Sequence, residues 1–75
     1  MWHEGSLKVE GEIIHYWVKT CQEPSAIYGI EGGRIIKMSL KKDGRWTLNY
    51  DRGWDQEPED EASQMAYAIL MKEYN

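Results

Sequence analysis

The alternation of apolar and polar residues at the start of the chain predicts a β-hairpin. Ser6 to Glu10 and Glu12 to Cys21 are rich in β-branched and aromatic residues, and the turn signal Glu10-Gly11 separates them. A two-residue loop pairs Val9 with Glu12 and gathers apolar side chains on one face. Those side chains are Leu7, Val9, Ile14, Tyr16 and Val18. Because Glu is disfavoured at positive φ, a bulged three-residue turn that pairs Leu7 with Ile13 stays open as an alternative.

The opposite face of this hairpin carries Ile13, His15 and Trp17. This face is too apolar to be left bare, so we expect the N-terminal residues, a ligand or another chain to cover it. A second copy of the protein is one such chain. The Ile13, His15 and Trp17 face is therefore a candidate homodimer interface.

The middle of the chain breaks the strand pattern. Gln22 to Ser25 contains Pro24, which lacks the backbone donor that a central strand needs. Ala26 to Ile30 is predicted as a short strand, and Glu31-Gly32-Gly33 as the turn that follows it.

A second hairpin is predicted from Arg34 to Tyr50. Its first strand alternates apolar residues with basic and polar ones, and Lys42-Asp43-Gly44 forms the turn. A two-residue loop would leave Trp46, Leu48 and Tyr50 opposite lysines and Ser39. We therefore predict a three-residue turn closed by Gly44 in the left-handed conformation. The resulting pairs are Leu40 with Trp46, Met38 with Leu48, and Ile36 with Tyr50.

The last part of the chain predicts one α-helix, with Pro58 in its first turn and its end near Glu73. Acidic residues at its start complement the positive end of the helix dipole. The apolar stripe recurs at helical spacing: Ala62, Met65, Ala66, Ile69 and Leu70, widened by Tyr67, Met71 and Tyr74. The predicted fold is α+β, an antiparallel sheet of four or five strands, built from two β-hairpins, with this helix packed on one face.

Composition bounds the size and setting of this fold. With 75 residues, the chain is expected to form one domain, residues 1–75, with a small core. Its four Trp and five Tyr can fill that core or form a binding face. The single cysteine, Cys21, excludes an internal disulfide and favours a reducing, cytoplasmic setting. No apolar run approaches the roughly 20 residues that span a bilayer, so no membrane contact is expected.

The net charge of −4 argues against a nucleic-acid partner. The charges are nevertheless segregated along the sequence. The basic segment contains Arg34, Lys37, Lys41, Lys42 and Arg45, and the acidic segment contains Asp51, Asp55, Glu57, Glu59, Asp60 and Glu61.

No pattern in the chain carries recognisable catalytic, metal or cofactor chemistry. His3 and His15 have no carboxylates at metal-ligand spacing, and Cys21 has no identifiable base. No Walker, Rossmann or nucleophile-elbow motif occurs. We therefore expect neither an enzyme nor a bound metal or cofactor.

Folding alone does not fully explain the segment Tyr50-Asp51-Arg52-Gly53-Trp54-Asp55. Arg and Trp combine buried contact area with directed bonding, which suits them to recognising a partner. The candidate binding residues are Arg34, Tyr50, Asp51, Arg52, Trp54, Asp55 and Trp17. Gly32 and Gly33 beside Arg34 are a further candidate, for a phosphate nest.

Several segments of the chain resemble a family of small uncharacterised proteins encoded by phages and prophages of Firmicutes. These segments are Tyr16-Trp17-Val18-Lys19, Pro24-Ser25, Tyr28-Gly29-Ile30, Gly32-Gly33-Arg34-Ile35, Asn49-Tyr50-Asp51-Arg52-Gly53-Trp54-Asp55 and Lys72-Glu73-Tyr74. The resemblance implies a phage origin and a cytoplasmic life in the bacterial host, and it implies no activity.

The function expected from these features is that of a noncatalytic interaction module acting on a host or phage protein. The alternative is a small-ligand protein that binds or sequesters a nucleotide. It would use Gly32, Gly33 and Arg34 for the phosphate and an aromatic side chain for the base.

Overall fold

The computed structural model, which describes residues 1–75, is one antiparallel sheet with one helix on it. The strands are β1 (Trp2–Val9), β2 (Glu12–Thr20), β3 (Ile35–Lys42), β4 (Arg45–Asp51) and β5 (Trp54–Gln56). They lie side by side in chain order, and α1 (Glu61–Tyr74) packs across one face. The predicted α+β fold is confirmed, with five strands in the sheet.

The first hairpin has the predicted two-residue turn and register. Val9 pairs with Glu12 and Leu7 with Ile14. Glu10 and Gly11 have φ angles of 52° and 78°, so Glu10 does adopt the left-handed conformation that disfavours it. Two successive positive φ values match the twist of paired strands, and eight cross-strand pairs hold Glu10 in place.

The second hairpin differs from the prediction, which was wrong about its turn. Its loop is the two residues Asp43 and Gly44, with φ angles of 53° and 75°, and Trp46 pairs with Lys41. The register then shifts, so that Leu40 pairs with Leu48 and Thr47 is the extra residue of a β-bulge. The bulge keeps Leu48 on the core side and leaves Trp46 on the other side.

The segment predicted as a strand from Ala26 to Ile30 is instead a series of turns. It ends in a single 3₁₀ turn, Ile30–Gly32, so Glu31-Gly32-Gly33 does not connect two strands. Ser25 N–H donates to Gly33 O, and Gly29 N–H donates to Ser25 O. These bonds fold the segment back on itself, which leaves its backbone unavailable to the sheet.

The helix begins later than predicted and faces the sheet differently. Asp60 is its N-cap, so Pro58 lies before the helix rather than in its first turn. Ala62, Ala66 and Leu70 are buried, but Met65 and Ile69 are 42% and 45% exposed. The sheet-facing stripe is therefore shifted toward Tyr67, Met71 and Tyr74, which pack against the core.

The core lies entirely between α1 and the facing side of the sheet. Its members are Val9, Ile14, Val18, Ile30, Ile35, Met38, Leu40, Leu48, Tyr50, Ala62, Ala66 and Leu70. No helix covers the other side of the sheet.

Asp60 joins the start of α1 to the sheet. Its carboxylate accepts hydrogen bonds from Ser63 N–H and from Lys42 Nζ, both at 3.0 Å, and Lys42 Nζ also lies 3.3 Å from Glu12. Burial raises the pKa of Asp60, but the bonds from Lys42 and Ser63 outweigh burial and hold that pKa below its usual value. The hydrogen bond to Asp60 is the main cause of the raised pKa of Lys42.

Replacing Asp60 with Ala is expected to lower the free energy of unfolding by about 1 kcal/mol at neutral pH, because the N-cap is lost. Because the pKa of Asp60 is lowered on folding from 3.8, its contribution is present above pH 3.8 and is lost as the pH falls through the folded value. Urea unfolding should therefore show a gap in the free energy of unfolding between the wild type and the variant, and this gap should become smaller at acidic pH. Glu59→Ala, an exposed neighbouring carboxylate, is the control. A gap that does not change with pH would contradict this role for the Asp60 charge.

Candidate functional site

The uncovered side of the sheet, which we call the open face, consists of the side chains that point away from α1. These side chains are Trp2, Glu4, Ser6 and Lys8 of β1; Ile13, His15, Trp17 and Lys19 of β2; Lys37, Ser39 and Lys41 of β3; and Trp46, Asn49 and Asp51 of β4. The open face includes the predicted interface residues Ile13, His15 and Trp17, of which Ile13 and His15 are exposed and Trp17 is half-buried.

Aromatic side chains form a cluster on the open face. The rings of Trp17 and Trp46 pack with centroids 5.4 Å apart at an angle of 59°, and Lys41 Nζ lies 4.8 Å above the Trp46 ring. We call these three residues the Trp17–Trp46 cluster. Trp46 remains 52% exposed. The two-residue loop Asp43-Gly44 sets Trp46 opposite Lys41 and so places it on this face, whereas the bulge at Thr47 returns Leu48 to the core side.

Near this cluster, two lysines lie opposite each other on neighbouring strands. Lys19 lies directly opposite Lys37. Like charges in directly opposed positions are destabilising in a sheet. Lys37 is compensated by Asp51 at 3.7 Å, but Lys19 and Lys41 form no salt bridge. The open face thus has three lysines without a carboxylate partner, Lys8, Lys19 and Lys41, and the last two lie beside exposed tryptophans.

A shallow depression of about 330 Å³ lies next to Trp46 and is lined by Ser39, Trp46, Asn49 and Gln56. Asn49 accepts a hydrogen bond from Ser39 Oγ at 2.9 Å and donates to Asp55 at 3.1 Å. Gln56 Nε2 donates to Trp46 O at 2.9 Å. These bonds fix the polar side chains along one border of the Trp17–Trp46 cluster.

The segment from Tyr50 to Asp55 connects β4 to β5 and divides its side chains between the two faces. Trp54 packs on the helix side, with ring centroids 5.1 Å from Tyr50 and 5.6 Å from Tyr67. The Tyr50 hydroxyl donates to Tyr28 O at 2.9 Å. Trp54 and Tyr50 therefore close the edge of the core, on the side of the sheet opposite Trp17.

The charged residues of the same segment stabilise its turn. Arg52 has a φ of 57°, its N–H donates to Ile36 O, and its Nε lies 3.2 Å from Asp51. Asp51 also approaches Lys37, and Asp55 binds Asn49. The structure thus places Asp51 and Trp17 on the open face, brings Asp55 into contact with Asn49 of that face, and separates all three from Trp54.

Arg34 and the glycines beside it lie away from both groups. Arg34 Nε donates to Cys21 O at 3.1 Å. The N–H groups of Gly32 and Gly33 donate to Gly29 O and Ile30 O inside the 3₁₀ turn. These two donors are occupied, so the loop does not provide the phosphate nest that the glycines suggested.

The nucleotide-binding alternative would be favoured by a pocket that joins Gly32, Gly33 and Arg34 to an aromatic side chain, but Gly32 and Gly33 line neither depression. The depression at Arg34, of about 300 Å³, is lined by Met1, His3, Thr20, Cys21, Gln22 and Arg34. No group of three or more His, Cys, Asp or Glu side chains is arranged to hold a metal ion. The α-helix α1, with 14 residues, has neither the length nor the hydropathy of a membrane-spanning helix.

Trp46 and Lys41 are members of the open-face cluster that the sequence analysis did not select. The signal that could have identified them is Asp43-Gly44, the preferred sequence of a two-residue hairpin loop. That loop sets Trp46 opposite Lys41, away from the core.

Comparison with known proteins identifies a family but no activity. A family model described as a domain of unknown function, DUF7678, matches residues 1–75. No curated protein and no solved structure matches the chain.

Proposed function

The chain belongs to the family described as a domain of unknown function, DUF7678, and we propose that it is a noncatalytic module whose open face binds an acidic segment of a partner protein. The observation that carries this proposal is the Trp17–Trp46 cluster, in which Trp46 is 52% exposed on a sheet face that no helix covers. On the resemblance described above, the partner is a host or phage protein in the bacterial cytoplasm.

Tryptophan at the centre of a surface patch is the residue that most often dominates binding energy. The packing of Trp17 against Trp46 holds both rings in place before binding, so little side-chain entropy is lost when a partner docks. Ile13, which is 57% exposed on the same face, extends the apolar surface.

The charge of the open face sets the chemistry of the partner. Lys41 lies over Trp46 at 4.8 Å and Lys19 over Trp2 at 5.6 Å, and neither has a carboxylate partner. A carboxylate from another chain would relieve the repulsion between Lys19 and Lys37. An apolar side chain flanked by Asp or Glu is therefore the segment that this face fits.

The arrangement of polar groups supports a noncatalytic role. Ser6 Oγ lies 2.8 Å from His15 Nδ1, a contact that could activate a serine nucleophile. Both residues are exposed cross-strand neighbours, and no carboxylate bonds the other nitrogen of His15. This pair has neither the orienting acid nor the enclosed site of a hydrolase.

A display library of random peptides, selected against the purified protein, tests this proposal. Selected peptides should carry Asp or Glu next to an aromatic or aliphatic residue. Trp46→Ala should weaken their binding about 30-fold, which corresponds to a hot-spot loss of about 2 kcal/mol. Lys41→Glu should also weaken binding, and the loss of affinity should be larger at low salt than at high salt.

Trp54→Ala is the matched control, because Trp54 is 40% exposed on the opposite side of the sheet. It should leave peptide affinity unchanged. Peptides without acidic residues, or peptides that bind Trp46→Ala as tightly as the wild type, would contradict the proposal. Tighter binding of single-stranded oligonucleotides would also overturn it and assign the same face to nucleic acid.

A further inference from the structure

The free edge of β1 is the longest unpaired backbone edge in the sheet. β1 has eight residues and only β2 as a neighbour, whereas β5 at the other edge has three. Thr20 N–H donates to Met1 O, and the Met1 nitrogen donates to Thr20 O. Since hydrogen-bonded pairs alternate along an antiparallel ladder, the backbones of Trp2, Glu4, Ser6 and Lys8 point outward. Four residues therefore present unpaired N–H and C=O groups at this edge.

This edge lacks most of the features that block strand addition. β1 contains no proline, and its pairing with β2 has no register shift. At the other edge, the β4–β5 pairing has a register shift and is short. The only protection on β1 is charge, from Glu4 and Lys8. Because these two charges have opposite sign, they disfavour pairing with most strands but favour a strand that places a basic residue opposite Glu4 and an acidic residue opposite Lys8.

We propose that β1 pairs in antiparallel orientation with β1 of a second copy of this chain, with Ser6 at the centre of the contact. In this register Glu4 lies opposite the partner's Lys8, and Lys8 lies opposite the partner's Glu4. All these residues have outward-facing backbones, so each opposed pair can exchange two hydrogen bonds. The contact therefore contains two ion pairs related by symmetry, which is a closed isologous interface.

The geometry of the dimer follows from this pairing. A two-fold axis through an antiparallel pair of neighbouring strands is perpendicular to the sheet. The two five-stranded sheets therefore become one sheet of ten strands, with both helices on the same side. The two open faces become continuous, and Ile13, His15 and Trp17 stay uncovered. This inference does not depend on what the open face binds.

Exchange of the two charges tests the interface and its register. Glu4→Lys and Lys8→Glu should each weaken dimerisation at least tenfold, because each places like charges opposite one another. The double variant should restore the wild-type dimer, and a mixture of the two single variants should form heterodimers. Light scattering over a concentration series and native mass spectrometry measure both results. Circular dichroism should show each variant folded, since Glu4 and Lys8 are exposed.

A proline at Ser6 tests the backbone contact. Ser6→Pro removes an outward N–H and leaves the bonds between β1 and β2 in place, so this variant should be folded and monomeric. Ser6→Ala removes the same hydroxyl but keeps the N–H, so it should stay dimeric. A wild-type chain that is monomeric at millimolar concentration would overturn the proposal. Charge variants without mutual rescue, or a dimer disrupted by Trp17→Glu instead, would also overturn it.

Discussion

Gly29→Ala is expected to destabilise the domain by about 3 kcal/mol or more, at the upper end of the usual range for overpacking. A Cβ atom at this position would collide with Gly33 O and would lie 2.7 Å from Ser25 O. Both atoms belong to the backbone, and both carbonyls accept hydrogen bonds that shape the segment between β2 and β3. Because these groups are part of the turn itself, they cannot move away without breaking it.

Urea unfolding followed by circular dichroism measures this loss. Gly53→Ala is the matched control, because a Cβ atom there would meet no atom within 4 Å. It should change the free energy of unfolding by less than about 1 kcal/mol, as most surface substitutions do. Similar losses for the two variants would show that the compact turn at Gly29 does not form.

The segment from Ala26 to Ile30 was predicted as a strand because the need for this turn is not visible in the local sequence. Local composition does not reveal that Gly29 is needed for close backbone packing rather than for a positive φ. The turn is also held from far along the chain, since Asn75 Nδ2 donates to Ile30 O and Asn75 Oδ1 accepts from Ile35 N–H. A contact between residues 45 positions apart has no signature in a short window.

The sheet was predictable where it depends on neighbouring residues. The register of β1 and β2 follows from one turn and one alternating pattern, which agree. In the second hairpin the turn sequence and the apolar pattern predict different registers. The three-residue loop predicted to reconcile them was wrong. The bulge at Thr47 satisfies both, because Asp43-Gly44 keeps its two-residue loop and Leu48 still reaches the core.

That misplaced register also limited the prediction of the site. Trp46 was assigned to the core, so the cluster with Trp17 and Lys41 was not predicted. The segment from Tyr50 to Asp55 was selected because folding did not explain it. The structure supplies an explanation for Tyr50 and Trp54. Trp54 packs against both Tyr50 and Tyr67 of α1, and the Tyr50 hydroxyl donates to Tyr28 O, so the two residues close the edge of the core. Such contacts depend on where the helix crosses the sheet, which the sequence pattern does not specify.

Two adjacent helix residues, Ile69 and Leu70, are expected to differ strongly when replaced with Ala. Leu70 is 2% exposed and belongs to the core, whereas Ile69 is 45% exposed. Leu70→Ala should lower the free energy of unfolding by about 2–5 kcal/mol, because it leaves a cavity against the sheet. Ile69→Ala should cost less than about 1 kcal/mol, since Ala is also the better helix former.

The comparison of Ile69→Ala with Leu70→Ala tests the rotation of α1 about its own axis. The spacing of hydrophobic residues alone does not determine this rotation. Both residues belong to the predicted apolar stripe, and adjacent helix positions differ by only about 100° around the axis. The small side chains Ala62, Ser63 and Ala66 decide between them, because α1 approaches the sheet closely along that line. Urea unfolding of both variants provides the measurement. Equal losses for Ile69→Ala and Leu70→Ala would mean that the sheet-facing side of α1 is centred between these two residues. That result would contradict the packing described.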